Sequence, residues 1–454
     1  MNIPKDPRKI EQNLHVILPV VFTLGTLVFA LLLVFGVTFP TLLIEENQRT
    51  PINLPTLSKI GLLLSIELLI ASLLVRKISA LVAVNYSEEK PKYSDLLSSI
   101  LIVLGYLFAF YRGFRMPNLW TMGYFVPSYF DGIYRRALSG TLLYVFGDLR
   151  FNYYLIVAVQ VSIFLVLNIL FIRELFKSNF EIRLLFAIFL FSPAGGYLFH
   201  EIGYVDQLLL LLLLIAITTT NNYLSCFLVA ISPLFHEEAM FIVIPIYSLS
   251  LLFRGEKLEK MQLYSLSLAF CSFLIGIILR SSGSDVASFA MKWGLNANYP
   301  LRLDYVSTVL AVRSTAFAAI HYAEHQIVAL GITVFVGIIS AFTISIRATG
   351  GRKYSLFAIG IICIILPLGL GLIGWDTSRW IFLSITASLL VFYVGRENLK
   401  GFIFYASLAS VLLFSAQVKL RYFDGYKPRE LSSPAISSFV REDFFRLVRE
   451  IPKL

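Results

Sequence analysis

Long apolar runs separated by short polar breaks fill the chain from residue 16 to residue 416. Most are close to the ~20 residues that an α-helix needs to cross about 30 Å of hydrocarbon. The pattern predicts helices over 16–39, 57–75, 96–111, 154–172, 184–199, 206–219, 222–235, 239–253, 261–279, 326–346, 354–373, 379–395 and 401–416. That is an all-α polytopic membrane protein of about thirteen spans. The segments 206–219 and 222–235 are short for a bilayer; they either extend into the flanking polar residues or form a partly inserted hairpin.

Two stretches between spans are long, 112–153 and 280–325. The first is rich in aromatics and contains an apolar segment, Leu138 to Phe146, that reads as a short interfacial helix. Residues 1–416 read as one transmembrane domain. Residues 417–454 read as a basic tail ending in an amphipathic helix with Phe439, Phe444, Phe445 and Val448 on its apolar side.

Basic residues give the orientation. Lys5, Arg8 and Lys9 precede the first span, and further groups follow at Arg76 to Lys92, Arg173 to Arg183, Arg254 to Lys260, Arg347 to Lys353, and Arg396 to Lys400. Alternation from a cytoplasmic N-terminus puts all of them on the cytoplasmic side, as positive-inside sorting requires. The same count puts 112–153, 280–325 and the tail outside, although the first of these loops and the tail are basic.

Composition agrees with a membrane protein. The chain of 454 residues is 57% hydrophobic and 15% charged, with mean hydropathy +0.78; a soluble domain carries about 25% charged residues. The first apolar run is too long for a signal-peptide core and lacks a small-residue cleavage site, so no cleavable leader is expected. The net charge of +10 follows from the basic loops, and no stretch has a nucleic-acid-binding pattern. The cysteines, Cys226, Cys271 and Cys363, have no metal-ligand or disulfide spacing.

Four polar clusters interrupt the apolar runs, and the topology puts all four on the external face. An ionised group at a bilayer edge needs a partner or a use. Asp131, Arg135 and Arg136 follow Tyr129 in the first loop; on a helix Asp131 would face Arg135 at i,i+4, as a local salt bridge or as a base beside two phosphate-binding arginines. His200 and Glu201 precede Asp206, which stands where negative charge suits a helix N-terminus. His236, Glu237 and Glu238 sit between two apolar runs with almost no loop. His236 and Glu237 read as an acid/base pair or as ligands to a divalent cation, the cofactor this sequence leaves open. Asp376 and Arg379 open a span; helix capping explains Asp376, and Arg379 reads as a phosphate or sugar-carboxylate contact. His321, Glu324 and His325 read as a solvated loop helix more readily than as metal ligands.

Together the clusters suit sugar transfer from a polyprenyl-phosphate donor at the membrane's outer face. Asp131 is the candidate base, helped or replaced by Glu237, and Arg135, Arg136 and Arg379 are candidate phosphate contacts. Aromatics over 120–134 suit stacking on sugar rings. The expected partners are a lipid-linked sugar phosphate, an acceptor glycan or glycolipid, and membrane lipids, with no nucleic acid.

With many spans, an acidic residue beside an amphipathic segment in an external loop, and polar groups gathered externally, the chain resembles integral-membrane glycosyltransferases of the C-type fold. The resemblance implies that Asp131 serves as base or metal contact. The departure is that Asp131 follows the third span, whereas the first external loop carries only Glu45 and Glu46. Arg135, Arg136, Arg302 and Arg313 in two long loops also resemble O-antigen polymerases. A transporter or flippase of lipid-linked sugars stays open as the alternative class; it should show charge at mid-span, interrupted helices or paired halves.

Overall fold

The computed structural model describes residues 91–115, 117–132, 135–254, 260–278, 291–297, 299, 301, 327–346, 348, 351–372, 376–396, 420, 429 and 432–444. The expected spans 16–39, 57–75 and 401–416 lie outside these residues. So do Tyr134, Arg302, Arg313, His321, Glu324 and His325.

No strand occurs among the described residues. In chain order the helices are α1 (Pro91–Gly113), α2 (Leu119–Met122), α3 (Leu138–Val145), α4 (Tyr153–Lys177), α5 (Phe180–Phe191), α6 (Pro193–His200) and α7 (Val205–Thr218). They continue as α8 (Asn222–Phe235), α9 (Ala239–Arg254), α10 (Lys260–Ile278), α11 (Ile327–Ser345), α12 (Gly351–Gly369), α13 (Thr377–Val394) and α14 (Ser433–Ser438). Among them α4, α12 and α13 are long and apolar enough to cross a membrane, and α5 with α6 makes a fourth such span if the bent pair is counted as one. Helix α7 takes in Asp206 of the second cluster, whereas α8 ends at Phe235, short of the third; each has 14 residues, about 21 Å of helix. The first long loop is not an open loop. It carries α2, α3 and two single 3-10 turns, Gly123–Phe125 and Leu149–Phe151. In the tail, the helix expected around Phe439 begins earlier, as α14, and continues as a π-helical turn, Phe439–Phe444.

Short polar side chains start several helices where the apolar runs begin. Asn152 accepts from the amides of Tyr154 and Leu155, Asn179 from that of Ile182, and Asn221 from that of Leu224, satisfying donors that a helix start leaves open. Helix α13 is the centre of the bundle. Every residue from Thr377 to Tyr393 is buried, and the helix packs against α5, α6, α9, α11 and α12. The leucine-rich α7 is also apolar around nearly all of its circumference and buried, as expected of a core helix.

The α5–α6 break bends the chain by 71°. Pro193 stands at the first turn of α6, where its missing N–H does no harm, and it forces Ser192 into extended backbone. Gly195 makes the bend possible, because a Cβ there would lie 2.2 Å from the Leu190 carbonyl oxygen. Gly113 at the end of α1 crosses α6 closely enough that a Cβ would stand 1.7 Å from the Gly196 oxygen.

The described members of the basic groups expected in the cytoplasm gather at one end of the bundle. Tyr393 donates to Glu174, which also pairs with Arg173 and Lys177. Arg254 donates to the Ile217 carbonyl, and Arg352 to those of Leu252 and Phe253. The C-termini of α4, α7, α9 and α13 therefore share that end. The tail meets the other end. Arg429 donates to the Tyr111 and Phe114 carbonyls at 2.9 and 3.0 Å, and Phe439 packs edge-on against Phe110 and Tyr111. The described part of the tail and the 112–153 segment are thus at the same end.

Candidate functional site

The N-termini of α7, α9 and α13 meet at the end opposite the C-termini of these helices. Each brings an ionisable residue: Asp206 in the first turn of α7, Glu238 just before α9, and Arg379 in the first turn of α13. A cation at a helix N-terminus faces the positive end of the backbone dipole, so Arg379 is stable there only with carboxylates around it. It donates through Nε to Asp206 at 2.6 Å and through Nη2 to Asp206 at 3.0 Å and to Glu238 at 2.8 Å. Its third nitrogen reaches the Tyr124 hydroxyl at 3.5 Å, and its guanidinium lies over the rings of Tyr204 and Trp380. All three charged side chains are buried, with exposures of 7% for Arg379, 0% for Asp206 and 3% for Glu238. Asp376 caps α13 by accepting from the Arg379 amide at 3.4 Å, and Tyr197 donates to the same oxygen at 3.4 Å.

Glu237 lies one residue away and faces the rim. Arg136 donates to it from Nε at 2.8 Å and from Nη2, and Arg135 donates from Nη1 at 3.3 Å. Here the side chains keep some access to solvent: 16% for Arg135, 12% for Arg136 and 23% for Glu237. Neighbouring side chains on extended backbone point to opposite faces. Arg136 has φ +62°, an uncommon left-handed conformation for a residue with a side chain, and both arginines reach one carboxylate. His236 is the hinge between rim and floor. Its Nδ1 accepts from the Glu238 amide at 3.2 Å and lies 3.7 and 3.6 Å from Glu237 and Glu238. Its Nε2 is buried with no hydrogen-bond partner among the described residues.

Asp131 pairs with Arg150. The residues around Asp131 form a turn rather than a helix, so the expected i,i+4 facing of Asp131 and Arg135 does not arise. Arg150 is almost wholly buried. It also holds Asp148 at 2.5 Å, donates to the Val126 carbonyl at 2.9 Å, and stacks on Tyr144 and Phe151. Burial alone would lower the Arg150 pKa, but hydrogen bonds to Asp148 and Asp131 outweigh it and hold the value above the ordinary arginine range. Tyr129 follows Ser128 in the same segment, and its amide donates to the Thr141 hydroxyl at 2.8 Å, tying the turn to α3.

The site thus joins Arg135, Arg136, Asp206, His236, Glu237, Asp376 and Arg379 from segments far apart in the chain. Asp131 stands beside it on its own clamp. Glu238 was expected only as a member of the third cluster and Tyr124 only among the stacking aromatics of 120–134, and Arg150 was not expected. Glu238 was within sight, as the third ionisable residue in a row between two apolar runs; Arg150 was hidden in an aromatic, basic loop. Asp206 does occupy a helix start, but its carboxylate serves Arg379. His200 and Glu201 are buried at the end of α6 and the turn that follows. Among the described residues no group of three or more His, Cys, Asp or Glu side chains is placed to hold a metal ion.

A cavity of about 460 Å³ runs along α1 from Ser99 to Phe110, and its wall reaches Leu175, Phe176 and Arg183 near the C-terminus of α4. Its lining is mostly apolar and includes Leu107, Phe176 and Phe199, with Ser99, Tyr106 and Arg183 as the polar exceptions. The short helix α6 carries both Phe199 of the cavity wall and Tyr197, the partner of Asp376.

Fold and site define a helical bundle with helices able to cross a membrane and a buried charge network at one end. Comparison with protein-family models, with curated proteins and with solved structures returns no match.

Proposed function

We propose that the protein is a multi-pass enzyme of the cell (inner) membrane that transfers a sugar from a polyprenyl-phosphate donor to a glycan or glycolipid at the extracytoplasmic face. Its N-terminus is cytoplasmic, and about thirteen helices span the membrane. The observation that carries this reading is the convergence of Arg135, Arg136 and Glu237 on an accessible rim above the buried Arg379–Asp206–Glu238 network. Three helix N-termini and two forked guanidiniums favour an anion at that rim. The apolar cavity along α1 suits a lipid tail.

In this reading Arg135 and Arg136 hold the donor phosphate. Glu237 is the accessible carboxylate that takes the proton of the acceptor hydroxyl, with His236 beside it. Asp131, gripped by Arg150, holds the arginine-bearing turn. Arg379, with its donors engaged by Asp206, Glu238 and Tyr124, shapes the floor. The test is single substitution of Arg136, Glu237 and Asp131, reading cell-surface glycan or glycolipid at matched protein level. Normal product from all three variants overturns the reading. Joining of whole repeat units, rather than single sugars, would make the enzyme a polymerase.

A second reading, a transporter of lipid-linked sugars, is favoured by one observation. The α5–α6 pair is an interrupted helix, as secondary transporters use at their binding sites. Reconstitution distinguishes the two: translocation of a lipid-linked saccharide across proteoliposomes, with no sugar transferred, supports the transporter.

A further inference from the structure

We propose that Glu237 is a resident anion in a phosphate seat. Its carboxylate occupies the fork of Arg135 and Arg136 until a phosphate ester displaces it, and the displaced carboxylate then becomes the base. This rests on the reading of the rim as the site of a lipid-linked phosphate.

Four observations carry it. The fork is bidentate from Arg136 and is completed by Arg135, a geometry that fits carboxylate and phosphate oxygens alike. The left-handed backbone at Arg136 is an uncommon conformation for a residue with a Cβ, of the kind that persists where the surrounding structure over-determines it, often at ligand clamps. Glu237 is the most exposed of the carboxylates joined to Arg379 or to the fork, so a ligand reaches it before Asp206 or Glu238. Finally, the Nδ1 edge of His236 lies 3.7 Å from Glu237, so a ring that can bind a proton stands beside the carboxylate that leaves the fork.

The exchange has a chemical consequence. A phosphate diester carries the same single negative charge as the carboxylate it displaces, so it can take the seat without changing the charge balance of the fork. Once out of the fork, Glu237 loses the cations that hold it ionised, and its affinity for a proton rises. The acceptor oxygen then bonds to the anomeric carbon as that carbon's bond to the phosphate oxygen breaks. The electron pair stays on the phosphate oxygen, held by Arg135 and Arg136, and the hydroxyl proton passes to Glu237.

The test is calorimetric binding of inorganic pyrophosphate to the purified full-length chain. Removing the resident charge in Glu237→Gln should tighten binding about tenfold or more, and Arg136→Gln should abolish most of it. Unchanged or weaker binding by a folded Glu237→Gln protein overturns the proposal. If Glu237→Gln does not fold, Glu237→Asp decides: its shorter reach should loosen the fork and tighten pyrophosphate binding relative to the native chain, and no gain overturns the seat. An alkyl phosphate in nanodiscs should rank the variants the same way; if only soluble pyrophosphate does so, the lipid-linked assignment falls. A chain that binds as described yet makes no glycan upholds the seat and sinks the transferase reading. Loss of glycan in Arg136→Gln with no gain in Glu237→Gln sinks the seat alone.

Discussion

The Arg379 guanidinium grips the Asp206 carboxylate through two hydrogen bonds, at 2.6 and 3.0 Å, joining the first turns of two buried helices. Replacing Asp206 by Asn leaves the arginine with a weaker partner in a buried site at the wrong end of the α13 dipole. Breaking one side of a buried pair costs about 3–5 kcal/mol. Asp206→Asn should lower the thermal midpoint in detergent by several degrees, and Arg379→Lys should do the same because an ammonium cannot match the two-oxygen grip. An unchanged midpoint in both would mean that the Asp206–Arg379 grip does not hold the bundle together.

Arg150 holds the arginine-bearing turn in place through Asp131, Asp148 and the Val126 carbonyl. Arg150→Ala should loosen the segment 126–137, seen as faster backbone hydrogen exchange there than in α4. Its charge dependence is also set. A base whose folded pKa is raised contributes stability that is present below its unfolded value and lost only as pH rises through the folded value. With Arg150 above the ordinary arginine range, the clamp should show no alkaline weakening between about pH 6 and pH 10. Loss of protection within that window would contradict it.

Gly113 leaves no room for a side chain where α1 crosses α6. Gly113→Ala puts a methyl group against the Gly196 backbone, so the helices must separate, at a cost of about 1–3 kcal/mol. Because α6 carries Tyr197 and Phe199, the expected result is lower folded yield with a disturbed site. Normal yield and normal glycan product would show that the crossing yields easily.

Arg429 ties the tail to the carbonyls at the end of α1. Removing it in Arg429→Ala leaves those carbonyls short of a donor, worth about 1–3 kcal/mol for charged hydrogen bonds. The tail should become sensitive to limited proteolysis near residue 430 while the bundle stays intact. Equal protection in the native and variant chains would mean that Phe439 and the backbone bond from residue 429 to Arg112 are sufficient.

The helices were legible in the chain because their causes are local. Helices begin at Asn152, Asn179 and Asn221, and the capping of α13 by Asp376 followed from its position alone, whereas the 71° break at Pro193 overturns the single helix expected over 184–199. The clustering of charge at helix ends was legible too, because ionisable groups stand out in an apolar chain. Which charges meet was not. Asp131 has Arg135 four residues away but pairs with Arg150. Glu237 takes the arginines next to Asp131, and Asp206 and Glu238 share Arg379. The sequence by itself determined an all-helical chain and the residues from which a site is built. Only the tertiary structure decided their partners, because ion pairing depends on which helix ends converge, and α13 packing among α5, α6, α9, α11 and α12 is what brings those ends together.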